Sequence, residues 1–400
     1  MIRGRSTVLV VGAGPAGCAA GIVLARAGVD VCVVDRATFP RDKTCGDALS
    51  NDTVATLDRL GLGPGLAALP HAVVRRAAAV FPDGSEVTRD YDPPGMIVRR
   101  LHFDDLLRAE LERAGARLVQ DTQVGSLVTR DGRVCGASGP ELDWRADVVI
   151  AADGYGSVGL AAIGAAKPQG RYLGLSATAY YRGVTFPRGD TTADHCFETD
   201  LPYGYAWIFP AIDGVSNVGV YVRADAYRRG THLRELLARF LARHADRFAD
   251  AEPVGTPRSW SLPLGPLPIP HAAPGLLLVG DAGGFADPLS GEGIWQALRT
   301  GVLAGEAARD AVRGRGLDAA ARRAYERHCH DEIGRKSRAK GLIREAMHVI
   351  VHRRLYRVAA VRSLLAWGYR RRAFEMPFDG IWNCFACAAS ACAFGVSAQS

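Results

Sequence analysis

The sequence predicts a mixed α/β (α+β) fold, in which a parallel sheet built from βαβ units is interleaved with an antiparallel sheet and followed by a helical C-terminal region. Three observations predict it. Residues 7–35 have the pattern of strand, glycine-rich turn, helix and strand. Residues 171–222 are dominated by strand-forming residues, and residues from about 321 onward form a basic tail.

Length and composition indicate a globular protein. The chain has 400 residues, of which 48% are hydrophobic, so we expect two intertwined domains or one large domain with an extension. No secretory signal or membrane-spanning apolar run is visible, which predicts a cytoplasmic location. The odd count of 9 cysteines argues against a disulfide framework. Cys384 and Cys387 form a C-x-x-C pair that we interpret as buried apolar residues, because no partner has zinc-ligand spacing.

The first informative motif follows a strand at Val8–Val11, whose unbroken apolar run is typical of a strand buried on both faces. A second buried strand, Val29–Val34, ends at Asp35. Between the two strands lies a G-x-G-x-x-G turn that opens a helix, made of Gly12, Gly14, Pro15, Ala16 and Gly17 with Ala13. The order of these elements is that of a Rossmann-like unit.

Each part of this motif suits a dinucleotide. Gly12 permits the tight turn, Gly14 lets the backbone approach a pyrophosphate, and Gly17 allows close packing of helix on strand. The helix N-terminus directs free N–H groups and a positive dipole end at the phosphates. Asp35 is placed to accept hydrogen bonds from an adenosine ribose. We therefore predict that this chain binds a dinucleotide.

A loop at 36–52 leads into a helix with an apolar stripe at 54–60. Arg41 and Lys43 place positive charge near the expected pyrophosphate. Cys45 and Gly46 would put a small, polarisable side chain near the reactive end of the cofactor, and the alternative is an ordinary loop with an incidental thiol. Beyond it, a helix begins near Arg100, which either reaches back to phosphate or caps the helix as an exposed side chain.

Several strands are predicted before and after the helix that begins near Arg100. The strands after this helix lead to a buried strand that ends at Asp153 and Gly154. The predicted segments are strands at 72–81, 95–99 and 118–124, a hairpin at 127–136 around Asp131 and Gly132, and the buried strand at 146–152.

The composition shift at 171–222 marks a second, β-rich domain, followed by an amphipathic helix at 233–248. Its strands are predicted at 172–182, 195–198, 204–210 and 216–222. Tyr205, Trp207 and Phe209 alternate with a period of two, so a strand would direct all three rings to one face.

A second informative stretch lies at 275–301. A buried strand at 276–279 delivers Asp281 to the carboxyl edge of a sheet, where open α/β sheets bind ligands. Asp281 is placed to hydrogen-bond a ribityl chain. Gly291 and Gly293 precede a helix whose first N–H groups would stabilise negative charge on a reduced flavin ring.

Four pieces of the chain resemble the glutathione-reductase-type flavoproteins of the p-hydroxybenzoate hydroxylase fold, and more closely the geranylgeranyl reductase family, which includes menaquinone reductases. They are Val-Gly-Ala-Gly-Pro-Ala-Gly (11–17), Arg-Asp-Lys-Thr-Cys-Gly-Asp (41–47), Pro-Tyr-Gly-Tyr-Ala-Trp-Ile-Phe-Pro (202–210) and Gly-Asp-Ala-Gly-Gly-Phe-Ala-Asp-Pro-Leu-Ser-Gly-Glu-Gly-Ile (280–294). Residues from about 320 onward show no resemblance of this kind.

The resemblance implies a bound FAD and an external electron donor, which would be NADPH, NADH or a ferredoxin because no second G-x-G-x-x-G motif is present. It implies Cys45 as a catalytic candidate beside the flavin. It also implies Tyr205, Trp207 and Phe209 as walls of a substrate pocket, and the alternative for these three rings is an ordinary sheet core. It implies FAD contacts at Gly12, Gly14, Pro15, Ala16, Gly17, Asp35, Arg36, Arg41, Lys43, Thr44, Cys45, Gly46, Arg100, Val124, Asp153, Gly154, Asp281, Gly291, Gly293 and Ile294.

The domain boundaries that follow from this reading divide the chain into three parts. They are a discontinuous FAD-binding domain at 1–70, 100–170 and 270–320, a β-rich substrate domain at 71–99 and 171–269, and a basic helical region at 321–400.

Three functions fit these observations. The first is reduction of C=C bonds in an isoprenoid or other apolar small molecule. The second is a flavin monooxygenase, a hydroxylase or epoxidase, that tailors an aromatic or polycyclic natural product. The third is a flavin-bound cyclase or binding protein without redox chemistry. A halogenase is disfavoured, because that class needs a lysine between flavin and substrate and no lysine occurs from 44 to 166.

The net charge of +7 is concentrated near the C-terminus. Residues 322–372 contain 15 Lys or Arg against 4 Asp or Glu. Such a segment is either a solvated helical face or a peripheral contact with anionic lipid. No nucleic-acid-binding motif accompanies it, so we expect no nucleic-acid partner.

Overall fold

The computed structural model describes residues 1–227 and 232–370; Cys384 and Cys387 lie outside the described residues. Its strands are β1 Ile2–Val11, β2 Val31–Val34, β3 Ala48–Leu49, β4 Ala72–Val80, β5 Glu86–Ile97, β6 Arg117–Val119, β7 Ser126–Arg130, β8 Arg133–Gly139, β9 Leu142–Ala151, β10 Leu173–Arg182, β11 Thr192–Cys196, β12 Tyr205–Ile212, β13 Val215–Arg223, β14 Glu252–Pro263, β15 Ala272–Ala273 and β16 Leu276–Leu278. Its α-helices are α1 Pro15–Arg26, α2 Asn51–Arg59, α3 Gly63–Ala67, α4 Arg100–Arg113, α5 Val158–Ala162, α6 Leu233–Arg243, α7 Ile294–Arg313, α8 Ala319–Cys329, α9 Arg335–His352 and α10 Ala359–Arg370.

The first sheet is built around β1. Its path runs β15-β16-β9-β1-β2-β6, with parallel pairing from β16 to β6. Val10 pairs with Val33 on one side and with Ile150 on the other, and all three side chains are fully buried. The hairpin of β7 and β8 joins β9. Because both faces of the central strands are covered, their unbroken apolar sequences are explained.

The second sheet has the order β14-β10-β13-β12-β11-β4-β5-β3 and is antiparallel except between β11 and β4. The chain enters it at β3–β5, returns to the first sheet for β6–β9, and re-enters it at β10–β14. The two sheets are therefore interleaved in sequence, which confirms the predicted fold class.

Helix α7 packs against the backbone of α1 at Gly301, where α7 has no side chain. A Cβ placed on Gly301 would overlap the carbonyl oxygen of Ala16. The same face of α7 contributes Leu298, Val302 and Ala304 to the main core. Close approach of the two backbones thus depends on glycine at this crossing.

The C-terminal helices pack on the second sheet. Tyr356 is buried and stacks on Phe81 with ring centroids 5.2 Å apart. Val351 and Leu365 join the same cluster. The helical C-terminal region is thereby confirmed for residues 321–370. Among the described residues, no helix is both long enough and apolar enough to cross a membrane.

Three element predictions need correction, and one strand was missed. β5 begins at Glu86 rather than 95, because charged residues and two prolines obscure its alternation. β6 ends at Val119, so Val124 lies in a loop. The helix predicted at 233–248 ends at Arg243. β14 was not predicted as a strand, because its outer part is exposed and carries polar residues, glycine and proline.

Two glycine substitutions test the α1–α7 crossing. Gly301→Ala should reduce the free energy of unfolding by about 1–3 kcal/mol, because the new methyl group overlaps backbone that has no room to move. Gly341→Ala, in α9, has no heavy atom of the described residues within 4 Å of its Cβ and should raise stability by about 1 kcal/mol through helix propensity. Urea unfolding measures both, and equal effects would contradict the proposed contact.

Candidate functional site

A cavity of about 830 Å³ lies between the two sheets. The carboxyl ends of β1, β2 and β9 and the segment after β16 open into it, at the edge where parallel sheets bind ligands. Aromatic side chains of the second sheet line the opposite wall. Its volume lies in the range of small-molecule and cofactor sites.

The glycines of the first motif have different structural reasons. Gly12 has φ +100° and a Cβ there would overlap the carbonyl of Ala152, while a Cβ on Gly17 would overlap the carbonyl of Gly12. Gly14 is open: no heavy atom of the described residues lies within 4 Å of its Cβ position. Gly14 caps α1 without a side-chain hydrogen bond and, with Pro15 and Ala16, lines the cavity. The fold requires Gly12 and Gly17, whereas Gly14 leaves room for a ligand.

Two predicted acidic residues, Asp35 and Asp153, organise backbone at the same end. Asp35 accepts hydrogen bonds from the N–H groups of Ala13 (2.7 Å) and Ala37 (2.8 Å). Asp153 accepts from Ser157 Oγ and from the N–H of Val158 at the start of α5. Both acids line the cavity together with Arg36, Val124 and Gly154.

Asp104, which sequence reasoning missed, holds the two predicted arginines. It accepts from Arg100 Nε (2.6 Å) and Nη2 (2.8 Å) and from Arg41 Nη1 (2.8 Å). Burial alone would raise the pKa of Asp104, but the two guanidinium groups outweigh it and lower that pKa. Arg100 is buried, so the alternative of an exposed capping side chain is wrong.

Lys43 reaches toward the second sheet. Its Nζ lies 3.6 Å from the centre of the Trp260 ring, and its neighbour Asp42 pairs with Arg258 at 3.0 Å. Burial lowers the pKa of Lys43 to about 8, and the nearby charge of Arg100 acts in the same direction. The loop is thus attached to β14 by two contacts.

Asp47, two residues beyond Cys45, is a second acid that sequence reasoning missed. It is fully buried at φ +61°. Its carboxylate accepts from Tyr180 OH (2.6 Å), Asn217 Nδ2 (2.9 Å) and the N–H of Arg100 (3.2 Å). Burial raises the pKa of Asp47 to about 6, although the three donors favour the ionised form.

Asn217, on β13, extends this network to the predicted catalytic loop. Its Nδ2 also donates to the carbonyl of Cys45 (2.8 Å), and its Oδ1 accepts from Trp207 Nε1 (2.8 Å). A Cβ on Gly46 would lie 3.2 Å from the Phe209 ring. Cys45 and Gly46 therefore lie against the aromatic wall, where both line the cavity with Thr44. A polar residue in the apolar strand β13 was the sequence signal for Asn217.

The aromatic wall is centred on β12. Tyr205, Trp207 and Phe209 are buried, line the cavity and follow one another with ring centroids 6.2 and 6.1 Å apart. The Tyr205 hydroxyl donates to the carbonyl of Ser290. The wall is therefore tied to the second glycine-rich stretch.

Asp281, in the second informative stretch, lies just after β16. Asp281 lies beside Gly293, where a Cβ would be 3.4 Å from its Oδ1. Burial raises the pKa of Asp281, and Lys43 and Arg100 partly counter that effect. Gly293 begins α7 without a side-chain cap, and Gly291 and Ile294 also line the cavity.

A C-terminal helix secures this stretch. Asp287 is buried, accepts from the N–H groups of Leu289 (2.8 Å) and Ser290 (3.1 Å), and forms an ion pair with Lys340 of α9. Arg344 of α9 donates to the carbonyl of Pro288 (3.2 Å). The conformation of 287–293 thus depends on residues 340–344.

Comparison with known proteins identifies the family. A family model described as an FAD binding domain matches residues 5–337. The menaquinone reductase of Mycobacterium tuberculosis is 36% identical over 326 residues, covering 75% of each chain. The chain belongs to the geranylgeranyl reductase family of FAD-dependent oxidoreductases. A digeranylgeranylglycerophospholipid reductase of Methanothrix thermoacetophila is 32% identical, covering 83% of this chain and 85% of its own.

Solved structures share the fold. A geranylgeranyl bacteriochlorophyll reductase-like protein from Thermoplasma acidophilum superposes with a TM-score of 0.79 at 22% identity, covering 88% of this chain and 90% of its own. A flavin-dependent brominase superposes with a TM-score of 0.75 at 23% identity, covering 90% and 92%. The fold of this chain is therefore shared by flavoproteins of more than one activity.

The residues present fit the FAD that the family implies. Gly14 provides an open approach to the uncapped start of α1, which suits a pyrophosphate. The second uncapped helix start, at Gly293, lies across the same cavity. The cavity also has one charged, backbone-rich half and one aromatic half, as a molecule with a phosphate end and a ring end requires.

Substitution of Asp47 tests the network by its pH dependence. The pKa of Asp47 in the folded chain, about 6, lies above its ordinary 3.8, so the folded state binds this proton more tightly than the unfolded chain does. Its contribution to stability therefore increases as the pH falls from about 6 to about 4, by on the order of 2 kcal/mol.

Asp47→Asn should remove this gain, so the difference in unfolding free energy between wild type and variant should change between pH 7 and pH 4.5. Asp42→Asn, in the same loop but partly exposed and paired with Arg258, is the control for removing a carboxylate from this loop, and its profile is compared with that of Asp47→Asn. Parallel profiles for wild type and Asp47→Asn would contradict the assignment.

Proposed function

We propose that this flavoprotein reduces C=C bonds of an isoprenoid or another apolar chain. The observation that carries the proposal is one continuous cavity with two parts. The glycine cradle is formed by Gly12, Gly14, Gly291 and Gly293, and the aromatic chamber is the space beside Tyr205, Trp207 and Phe209. Its walls include Val74, Ile97 and Leu262 beside the rings of β12. Such walls recognise an apolar ligand by shape and exclude water from it. The names of the two reductases described above support the same choice of chemistry.

The chain's own residues divide the work. Bound FAD supplies the hydride chemistry. The pyrophosphate would bind at the start of α1, beside Gly14, and to the guanidinium group of Arg100, which Asp104 holds in place. Cys45, fixed through its carbonyl by Asn217, lies where cradle and chamber meet and is the candidate for a group beside the reacting atoms. The electron donor is proposed to be external: NADPH, NADH or a ferredoxin.

One observation favours an oxygen-using flavoenzyme as the second candidate. Lys43 lies one residue before the lysine-free interval 44–166, and it lines the cavity with a lowered pKa of about 8. The brominase described above shares the fold. A half-buried amine in the cavity wall is the kind of group that a halogenase needs between flavin and substrate.

Anaerobic flavin kinetics test the proposal. NADPH, NADH or reduced ferredoxin should bleach the bound flavin, and a menaquinone or a geranylgeranyl compound should then restore its absorbance without oxygen, with a product two hydrogens heavier per bond reduced. Restoration that requires oxygen would instead support the monooxygenase. A flavin that no donor reduces would support the cyclase or binding protein.

We further propose that residues 338–364 form a peripheral contact with anionic lipid. Among the described residues, five of the eight exposed large hydrophobic side chains lie in this segment: Leu342, Val349, Leu355, Val358 and Leu364. Exposed arginines accompany them at 338, 353, 354, 357 and 362. Apolar side chains interleaved with arginine are the composition of an interfacial helix. A lipid substrate would then be drawn from the surface to which the enzyme binds.

Vesicle sedimentation tests this contact. The triple variant Leu342→Ser, Val349→Ser and Val358→Ser should weaken binding to phosphatidylglycerol vesicles by roughly tenfold or more, because three apolar groups no longer enter the interface. Val254→Ser, an exposed apolar residue outside the segment, is the matched control and should bind as wild type does. Equal binding of wild type to phosphatidylcholine and phosphatidylglycerol would contradict the role of the arginines.

A further inference from the structure

Glu292 is an acidic residue of the cavity wall whose role the sequence did not indicate. It belongs to the second glycine-rich stretch, is half-buried and lines the cavity. One of its carboxyl oxygens, Oε1, accepts from Ser50 Oγ (2.6 Å) and from Thr53 Oγ1 (3.3 Å) at the start of α2. Glu292 therefore joins the stretch before α7 to the segment that follows Cys45 and β3.

The second oxygen of this carboxyl group is open. Its Oε2 atom has no hydrogen-bond partner among the described residues, yet it is not one of their fully buried unpaired atoms, so it keeps accessible surface. Because both hydroxyl groups approach Oε1, the proton of a neutral Glu292 belongs on Oε2. The acid proton is therefore held on the oxygen that a ligand in the cavity can reach.

The surroundings of Glu292 affect its affinity for that proton. Burial raises the pKa of Glu292 above its ordinary 4.5. The hydrogen bond from Ser50 and the charge of Lys340 oppose this effect, while the charges of Asp287 and Asp52 support it. Lys340 is itself paired with Asp287. A carboxyl group with a raised pKa is suited to act as a general acid at a pH where an ordinary glutamate is ionised.

The backbone that carries Glu292 also borders the aromatic chamber. The Tyr205 hydroxyl donates to the carbonyl of Ser290, and a Cβ on Gly291 would lie 3.7 Å from the Tyr221 ring. These two contacts fix the residues directly before Glu292 against the wall of the chamber. Glu292 thus lies where the glycine cradle and the aromatic chamber meet.

The other acids of the cavity have different partners. Among the described residues, five acidic residues line the cavity. Asp35 and Asp153 accept hydrogen bonds from backbone N–H groups, and Asp42 forms an ion pair with an exposed arginine. Asp281 is the residue that the sequence assigns to a ribityl chain. Glu292 is the fifth, and its open oxygen is free to serve a substrate.

We propose that Glu292 is the general acid of the reduction, and that its carboxyl group donates the proton that completes the saturation of each C=C bond. This inference rests on the proposed function.

The step balances in atoms and electrons. The π bond of the alkene breaks and two C–H bonds form. One carbon receives a hydride, with its electron pair, from the reduced FAD, and the other carbon receives the proton from Glu292 Oε2. The alkene is reduced, the flavin is oxidised by two electrons, and the carboxylate that remains regains its proton from water.

Two isosteric amide variants of the FAD-loaded protein test this role without oxygen. Glu292→Gln keeps an oxygen for Ser50 and Thr53 but carries no acid proton. In a single turnover it should slow the restoration of flavin absorbance by geranylgeraniol by about 10²–10⁴-fold, the range expected for loss of general acid catalysis. Asp52→Asn makes the same change at an exposed residue of α2 and is the matched control, which should react at nearly the wild-type rate.

Infrared spectroscopy measures the proton on Glu292 independently of turnover. At about pH 6, above the ordinary pKa of 4.5, wild type and Asp52→Asn should both show the carbonyl stretching band of a neutral carboxyl group that Glu292→Gln lacks. Glu292→Asp keeps an acid one methylene group farther back. This variant should retain a neutral carboxyl band and recover part of the rate that Glu292→Gln loses.

Restoration of the flavin by Glu292→Gln at the wild-type rate, or neutral carboxyl bands that this substitution leaves unchanged, would overturn the proposal. A wild-type protein whose reduced flavin no alkene restores would refute the proposed function and the role of Glu292 with it, and this result is seen before any variant is compared. 2-Cyclohexen-1-one serves as an alkene without an isoprenoid chain. If it alone reacts, the isoprenoid class is wrong, while the variants still decide the role of Glu292.

Discussion

The buried hydrogen bonds that Asn217 donates to Asp47 and to the Cys45 carbonyl join the loop that carries Cys45 to the second sheet. The single side chain of Asn217 forms hydrogen bonds with the Asp47 carboxylate, the Cys45 carbonyl and the Trp207 indole. Tyr180 and the backbone of Arg100 complete the set from β10 and the start of α4. Because an ionised carboxylate has no hydrogen to donate, three donors converging on it fix one arrangement of the loop. The junction of cradle and chamber depends on that arrangement.

Similar buried acids hold the remaining cavity segments. Asp104 orients Arg100 and Arg41, and Asp287 fixes the stretch before α7 while paired with Lys340 of α9. A buried ion pair adds little net stability, but breaking one leaves an uncompensated charge, so such pairs specify geometry. Helix α9, most of which lies beyond the residues that the family model matches, thereby takes part in shaping this end of the site.

The cavity changes character along its length, and the proposed chemistry follows from that change. Glycines, helix starts and arginines at one end suit phosphate, while rings at the other end suit a water-free reaction. Lys43 and Glu292 bring ionisable side chains to the wall of the same cavity.

The sequence by itself determined the parallel sheet, both glycine-rich turns, the antiparallel second sheet and the alternation of Tyr205, Trp207 and Phe209. These features follow from local periodicity and from glycines that the backbone requires. At Gly12 and Gly17, for example, a Cβ atom would overlap a backbone carbonyl group. Only the tertiary structure decided that Asp104 holds Arg41, that Asn217 reaches Cys45 and that Glu292 meets Ser50. Such pairings join residues tens to hundreds of positions apart, and hydrogen-bond partners at that separation leave no local pattern because they are set by how the sheets and helices pack.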